Sequence, residues 1–534
     1  MTGTPRLDVD FSALQDRLTG RVHLPGEDSY TALTTPWNLA VQPTPSAVVA
    51  VADAADIGEV LRFAATVGLP VAVQSTGHGI VDNLDGALLV HVGALDECTV
   101  HPEGWARVGA GVKWQTVLDA AAVHGLAALV GSAPDVGVVG YTTGGGIGPV
   151  ARTWGAASDR VRAVDVVTGD GVVRRATATE EPDLFWGLRG GKGALGVVTA
   201  VEFDLVEQPE IYGGGLYFDS EHTTAVLHSW RTWCEDLPPE ATTSLALLNL
   251  PDGVPGVPPP LAGRFSVAVR FVWTGDHRDG ARVLAPIRAV AEPIIDAVGP
   301  LPFSQIGFVH SDPVDPLPVH ESSHLLNELP GEAVDALLAV AGPGTGSPQL
   351  MVEIRQLGGA LARPGPVSSA LCQRDAAFSV LLIGVPAPPI AEAVLSHAAM
   401  VAEVLAPWTT GGRLPNFGAD AGVESFARCY DAPTMSRLTD LAERYDPHSL
   451  FRVGHVPART PATAPRAPVD DAEAADATVR TVSVPASDPE PDVMAGRAAA
   501  TVPEQETDLE RGTGLERETE LKRGPDLERG TELD

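Results

Sequence analysis

The sequence predicts an α+β protein, and three observations carry that prediction. A strand–helix–strand unit opens it, an antiparallel hairpin follows a glycine-rich stretch, and a second region mixes long strands with amphipathic helices. At 534 residues the chain is long enough for two or three domains with sizeable cores, and its 44% hydrophobic content is ordinary for a globular protein.

The opening unit spans Ala47 to Val73. Ala47–Val51 is apolar and β-branched, as a buried strand requires. Ile57, Val60, Leu61, Ala64 and Val67 then recur at helical spacing. Asp53 is placed to cap that helix, and Gly68 followed by Pro70 stops it. Pro70–Val73 is the returning strand. Further strands are predicted at Ala87–Val92, Trp105–Gly109 and Gly196–Leu205, and a short helix at Trp114–His124. Val164–Thr168 and Val172–Thr177 flank Gly169-Asp170-Gly171, a hairpin signal.

The character changes at Gln208-Pro209. Residues 1–207 read as one domain and 208–407 as a second. Its candidate strands are Ser266–Trp273, Gln349–Leu357 and Phe378–Ile383, and its candidate helices Ala281–Val298, Glu332–Val340 and Ile390–Leu405. Residues 408–457 form a short third segment. Residues 458–534 collapse into Ala, Pro, Thr, Asp and Glu, with repeats such as Asp508-Leu509-Glu510-Arg511-Gly512, and are expected to be a disordered acidic tail.

A net charge of −33 argues against nucleic acid or an anionic membrane as partner. No stretch reaches the roughly 18 apolar residues of a spanning helix. The N-terminus lacks a signal-peptide pattern. Cys98, Cys234, Cys372 and Cys429 are far apart with no CxxC pair, which fits free thiols in a reducing cytoplasm and no metal site.

Two glycine-rich loops carry the functional signal. Gln74-Ser75-Thr76-Gly77-His78-Gly79 directly follows the returning strand, and Gly140-Tyr141-Thr142-Thr143-Gly144-Gly145-Gly146-Ile147-Gly148 comes later in the same domain. Glycine lets backbone N–H groups approach an anionic ligand, so the pair reads as a cradle for a large phosphorylated cofactor. His78, between two glycines, has room to meet it. Two rival patterns fail on context. Gly146-Ile147-Gly148-Pro149-Val150-Ala151 matches a dinucleotide-binding turn, but the antiparallel hairpin behind it does not suit a βαβ unit. His320-Glu321-Ser322-Ser323-His324 matches a zinc-protease pattern, but Pro316 and Pro318 precede it, so a polar loop running into a helix is expected there.

Taken in order, these motifs resemble the FAD-linked oxidases of the vanillyl-alcohol oxidase/p-cresol methylhydroxylase type, in the berberine-bridge-enzyme-like branch. The resemblance runs through Arg21–Asn38, Gly77-His78, Val136–Gly140, Gly144–Gly148, Asp183–Gly191, Gly196–Thr199 and Tyr445–Arg452. It implies a two-subdomain FAD-binding domain, rejoined by residues 408–457, and an antiparallel-sheet substrate domain covered by helices. It implies that Gln74, Ser75, Thr76, Gly77, His78, Gly79, Gly137, Gly140, Thr142, Gly145, Gly148, Gly196, Val198 and Asn416 bind FAD, with His78 joined covalently to the flavin 8α-methyl group. The implied partners are a small-molecule substrate and dioxygen. The implied activity takes hydride from an alcohol or amine carbon of a small molecule, a sugar or a secondary metabolite, to flavin and returns hydrogen peroxide; the alternatives are a flavin dehydrogenase with a non-oxygen acceptor and a non-catalytic flavoprotein whose tail docks a partner.

The chain also departs from that pattern. Ala133 stands where bicovalent relatives carry a second flavin-linking cysteine, so one histidyl link is expected. Leu414 replaces a tyrosine two residues before Asn416. Lys192, Ala194 and Leu195 replace glycine, asparagine and phenylalanine, a change read as packing only. With Leu414 unable to take a proton, alternation along Met351–Gln356 puts Glu353 and Arg355 on one face. Glu353, expected to have a raised pKa over an apolar flavin, becomes the candidate base, the alternative being a solvent-facing Glu353–Arg355 ion pair. Tyr141 and Asn416 complete the candidate catalytic set.

Overall fold

The computed structural model describes residues 9–253, 256–418 and 422–457. The expected tail lies outside the described residues. Four strands form the first sheet, in the order Arg21–His23, Ala47–Ala50, Leu88–His91, Val71–Gln74. The last three run parallel and the first antiparallel. The helix Ala54–Val67 packs Ile57, Val60, Leu61 and Ala64 into the same core as Val49, Val71 and Val90. Its ends are those the sequence predicts. The Asp53 carboxylate accepts from the N–H groups of Ala55 and Asp56, and Gly68 closes it in the left-handed region at φ 73°.

A five-stranded sheet follows, ordered Cys98–His101, Trp105–Gly109, Val197–Asp204, Val161–Val167, Val173–Thr177, and antiparallel throughout. The predicted hairpin is therefore present. The strand entering it, Val161–Val167, pairs antiparallel with Val197–Asp204, so the glycine run before it is not a parallel βαβ turn.

Strands from Glu210–Asp219 to Phe378–Gly384 form one large antiparallel sheet. Alternate residues point to opposite faces. Leu245, Leu247, Val267, Val269, Phe271, Val352, Ile354, Val380 and Leu382 point to one, where they form a core with helices Thr223–Glu235, His277–Arg288, Gly331–Ala341 and Ala391–Leu405. Trp230 is completely buried there, its indole N–H donating to Thr243 Oγ1 at 3.0 Å. The other face looks towards the glycine loops.

Several expectations need correction. The helix expected over Ala281–Val298 runs from His277 to Arg288. Asp276 caps it by accepting from the N–H of Arg278, and the chain beyond turns back as short strands, Ile295–Asp296 and Gly299–Pro302, against Glu210–Asp219. Long strands at Glu210–Asp219 and Ala241–Leu250 and the helix Thr223–Glu235 were not anticipated. Three glycines disguise the first strand, and one is a steric requirement. A Cβ on Gly214, at φ 141°, would lie 2.2 Å from the Ala297 carbonyl oxygen. His320–Leu326 is also a strand and not a loop running into a helix. At about 3.3 Å per residue its two histidines stand about 13 Å apart along the chain, too far to share a zinc ion. Among the described residues, no helix is long and apolar enough to cross a membrane.

Candidate active site

The strand Val71–Gln74 delivers the histidine loop. Gly77 takes φ 75°, and a Cβ there would fall 2.6 Å from Pro36 Cβ, so glycine is required on both counts. This close approach brings Trp37 over His78, with stacked rings 4.7 Å apart. His78 is held at both nitrogens. Nδ1 lies 2.9 Å from Thr76 Oγ1 and Nε2 lies 3.2 Å from Asp135 Oδ2. Gly137 sits against Ser75 and Thr76, so the second loop lies beside the first. Gly79 and Gly140 border open space. Gly145 adopts φ 103°, and a Cβ on Gly148 would stand 1.9 Å from the Val130 carbonyl oxygen. Thr142 and Val198 line one small cavity, and Gly196 approaches the Val167 carbonyl as closely as only glycine can.

These residues fit FAD on two counts. Gly79 and Gly140 leave backbone open to a ligand, while Gly77, Gly145, Gly148 and Gly196 allow close approaches that a Cβ would block. Gln74 Oε1, Asp135 Oδ1 and Thr142 Oγ1 are buried with no protein partner, and a buried polar atom left unpaired costs about 1–3 kcal/mol. Hydroxyl or N–H groups of the cofactor could donate to the Gln74 and Asp135 oxygens, and its carbonyl or phosphate oxygens could accept from the Thr142 hydroxyl.

The free face of the large sheet looks at the loops. Register places Arg270, Ser244, Arg355 and Ser379 in one row across four strands. The next row is Ala268, Ala246, Glu353, Leu381 and Ser323, and a third holds Leu248, Met351, Ile383 and Glu321. Ala246, Leu248, Ala268, Met351 and Leu381, with Phe417, form an apolar floor. Glu353 is completely buried. Its Oε1 accepts from Ser244 Oγ at 2.8 Å and Arg270 Nη1 at 2.6 Å, and its Oε2 from Arg355 Nε at 2.7 Å.

That environment corrects the expectation of a raised Glu353 pKa. Burial alone would push it up, but the Arg355 and Arg270 guanidiniums outweigh burial and hold the carboxyl well below its ordinary range. The Glu353–Arg355 ion pair exists, but inside the protein and not in solvent. A carboxylate stabilised this strongly is a weak base. Arg355 spans the gap between the two halves. Its guanidinium lies 5.3 Å from the Phe417 ring centroid and its Nη2 lies 3.4 Å from Ser132 Oγ, three residues from Asp135.

Tyr141 is packed edge-on against Trp114 at 5.6 Å, and its hydroxyl is buried without a partner. Burial drives its pKa far above the ordinary phenol value, so the hydroxyl stays protonated at neutral pH. Asn416 Nδ2 donates to the Tyr141 carbonyl at 2.7 Å, pinning the 414–418 segment to the glycine loop. Leu414 is buried among Leu325, Leu357 and Leu371. A cavity of about 30 Å³ touches Gly148, Thr242, Arg270, His310, Arg355 and Gln356. Four of these side chains keep a buried polar atom without a protein partner: Thr242 Oγ1, Arg270 Nε, His310 Nδ1 and Gln356 Oε1. The space suits a water or one small polar group.

Sequence reasoning missed Glu321. It shares the sheet face with Glu353 and, among the described residues, accepts one long contact, 3.4 Å, from the Gly418 N–H. Burial raises its pKa, outweighing that contact and the more distant Arg355 and Arg413. Reading His320–Leu326 as a strand would have found it, since alternation sends Glu321 and Ser323 to the face opposite His320 and His324.

Comparison with known proteins bears on the cofactor domain and the fold. A family described as FAD binding domain matches residues 45–177. The chain is 26% identical over 455 residues to (R)-6-hydroxynicotine oxidase of Paenarthrobacter nicotinovorans, covering 82% of this chain and 96% of that one. The solved structure of wild-type BBE-like 1 from Physcomitrella patens superposes with a TM-score of 0.75 at 19% identity, over 85% of this chain and all of that one. Glucooligosaccharide oxidase from Acremonium strictum, whose FAD is described as 6-S-cysteinyl and 8α-N1-histidyl, superposes at 0.71 with 19% identity, over 82% and 96%. The matched domain, the full-length relative and the shared architecture make this chain an FAD-linked oxidoreductase with the fold of the berberine-bridge-enzyme-like branch of the vanillyl-alcohol oxidase/p-cresol methylhydroxylase flavoproteins.

Proposed function

We propose that the protein is an oxidase that takes hydride from an alcohol or amine carbon of a small molecule and uses dioxygen as acceptor, releasing hydrogen peroxide. In this reading residues 1–207 and 408–457 hold FAD, residues 208–407 hold substrate, and the protein works in the cytoplasm, where its four unpaired thiols are at home. FAD, when bound, supplies the two-electron acceptor and the centre that dioxygen reoxidises. His78 is its covalent attachment point, oriented by Thr76 and Asp135. With Ala133 in place of a second thiol, the link is single.

The observation that carries the reading is the sheet face opposite the glycine loops, where an apolar patch lies beside the buried Glu353–Arg270–Arg355 cluster. Its floor of Ala246, Leu248, Ala268, Met351 and Leu381 suits a compact apolar body. A sugar would need several hydrogen-bond partners that these residues lack. Thr242, Arg270, His310 and Gln356 offer unpaired polar atoms to one hydroxyl, amine or carboxylate. Glu353 keeps Arg270 and Arg355 in place. Glu321, raised in pKa and holding one long contact among the described residues, takes the substrate O–H or N–H proton. Removal of a positioned base of this kind costs about 100-fold or more in rate.

The test has two stages. Protein precipitated with acid should keep its yellow colour in the pellet, and free flavin in the supernatant would exclude the covalent link. Compounds of hydroxylated, amine-bearing apolar type and oligosaccharides should then be screened for peroxide release in air and for flavin bleaching without oxygen. Bleaching without peroxide would indicate a dehydrogenase using another acceptor. No bleaching by any compound would leave a flavoprotein without this catalytic role.

A further inference from the structure

Lys192 occupies a place its packing does not explain. Its backbone sits in the left-handed region at φ 61°, a conformation that costs a non-glycine residue about 1–2 kcal/mol. Two hydrogen bonds fasten this loop to the glycine run, with the N–H groups of Gly190 and Lys192 both donating to the Thr143 carbonyl, at 2.9 and 3.1 Å. The side chain then folds over Gly144. A Cβ on Gly144 would stand 2.8 Å from Lys192 Cε and 2.0 Å from Asn416 Oδ1, so lysine and asparagine converge on the same glycine. Asn416 is the residue that pins the 414–418 segment, with Phe417 against Arg355, over the glycine loop. Lys192 therefore stands where cofactor loop and substrate face meet.

Its charge is also unanswered. Among the described residues no carboxylate lies within 4.0 Å of its ammonium. Among the described residues, the titratable groups acting on it are the Cys429 thiol and the like-charged Arg413 guanidinium. Burial, slightly reinforced by Arg413, lowers its pKa to about 8. Arg413 is itself buried and bonded to Ser425 Oγ and the Gly418 carbonyl, with no acid among those partners. A strained backbone and a lysine without a counter-ion among the described residues are both costs, and both are explained if its partner is a ligand.

We propose that Lys192 is the counter-cation for the electron-rich edge of the FAD ring system, stabilising the negative charge that the ring gains when it accepts electrons. This rests on FAD binding in the groove as proposed above, but on no substrate and no particular base. A neighbouring cation that favours added negative charge should raise the two-electron potential and tighten the addition of sulfite to the oxidised flavin.

The experiment uses the holoprotein and sulfite as probe. Lys192→Met removes the charge at similar length, and Lys192→Arg keeps it. Sulfite dissociation constants come from loss of flavin absorbance, and midpoint potentials from dye equilibration. Lys192→Met should weaken sulfite binding at least ~10-fold and lower the potential, a tenfold change in a two-electron equilibrium being about 30 mV. Lys192→Arg should stay within about threefold of the unmodified protein. Should Lys192→Met fold poorly, Lys192→Gln carries the same comparison. A neutral variant that holds FAD and matches the unmodified protein in both quantities overturns the proposal. A colourless unmodified protein overturns the FAD reading instead, so the two failures are distinct.

Discussion

Replacing Glu353 with glutamine separates a structural strut from a catalytic base. The change keeps volume and removes one negative charge. Glu353 is completely buried, and both oxygens accept from guanidiniums, Arg270 at 2.6 Å and Arg355 at 2.7 Å. Glutamine would leave two buried cations without their carboxylate. Breaking a buried pair from one side costs about 3–5 kcal/mol, a large share of the ~5–15 kcal/mol that holds a typical fold together. The pH dependence has a definite sign. The folded carboxyl titrates well below its unfolded value, so the contribution is present above the unfolded carboxylate pKa and is lost as pH falls towards the folded one. The gap between wild type and Glu353→Gln, measured by urea denaturation, should therefore be full at pH 7 and narrow below about pH 4. Adding Arg270→Met to Glu353→Gln should recover part of the loss, because one orphaned cation goes with it. Anaerobic flavin reduction, followed with a substrate from the screen, should slow far more in Glu321→Gln than in Glu353→Gln. A Glu353→Gln protein with an unchanged urea midpoint and a ~100-fold slower reduction would refute the strut and make Glu353 the base.

Three further outcomes are expected. His78→Ala should release its flavin on acid precipitation, and peptide mapping of the unmodified protein should find flavin on the His78 peptide alone; flavin on a cysteine peptide would contradict the single link. Gly148→Ala should lose FAD and stability together, since the new Cβ would stand 1.9 Å from the Val130 carbonyl oxygen and 2.8 Å from the Tyr141 hydroxyl, and a well-folded, fully yellow variant would show that the loop yields. His324 is pushed down to about 4, chiefly by burial and then by Arg428 and Arg413. It should thus stabilise the fold above pH 6.5 and forfeit up to about 3 kcal/mol as pH falls from 6.5 to 4, and His324→Gln should flatten that part of the urea-midpoint profile.

What the sequence revealed follows a physical divide. The Ala54–Val67 helix was legible to the residue because its cap, its spacing and its stop are local chemistry. The His78 loop and the glycine run were legible because glycine is required where backbone must come close. The strands Glu210–Asp219 and Ala241–Leu250 were not. Each sits inside the large sheet, where pairing partners decide the conformation and Gly213, Gly214 and Gly215 argue against it locally. The same divide runs through the active site. Alternation correctly put Glu353 and Arg355 on one face, but the downward shift of Glu353, led by Arg355, is shared with Arg270, more than eighty residues away in sequence. Glu321 stayed hidden inside a false metal motif, and Lys192 inside a loop where glycine was the expected residue.

The closing segment has a consequence for the order in which the molecule is made. The Asp446 carboxylate accepts from the N–H groups of Leu450 and Phe451, which turns the chain so that the Leu450 carbonyl receives the Val71 N–H at 2.9 Å. Arg452 reaches the Gly68 carbonyl, Gly454 the Asn83 side chain, and Phe451 enters the core around Leu61. The strand that presents His78 is thus braced by residues synthesised nearly four hundred positions later. A nascent chain still short of Phe451 has the histidine and both glycine loops outside the ribosome but lacks the brace that aligns them. Flavin attachment should consequently be a late event, reserved for chains that have finished this turn, and ribosome-stalled chains ending before Asp446 should emerge without bound flavin.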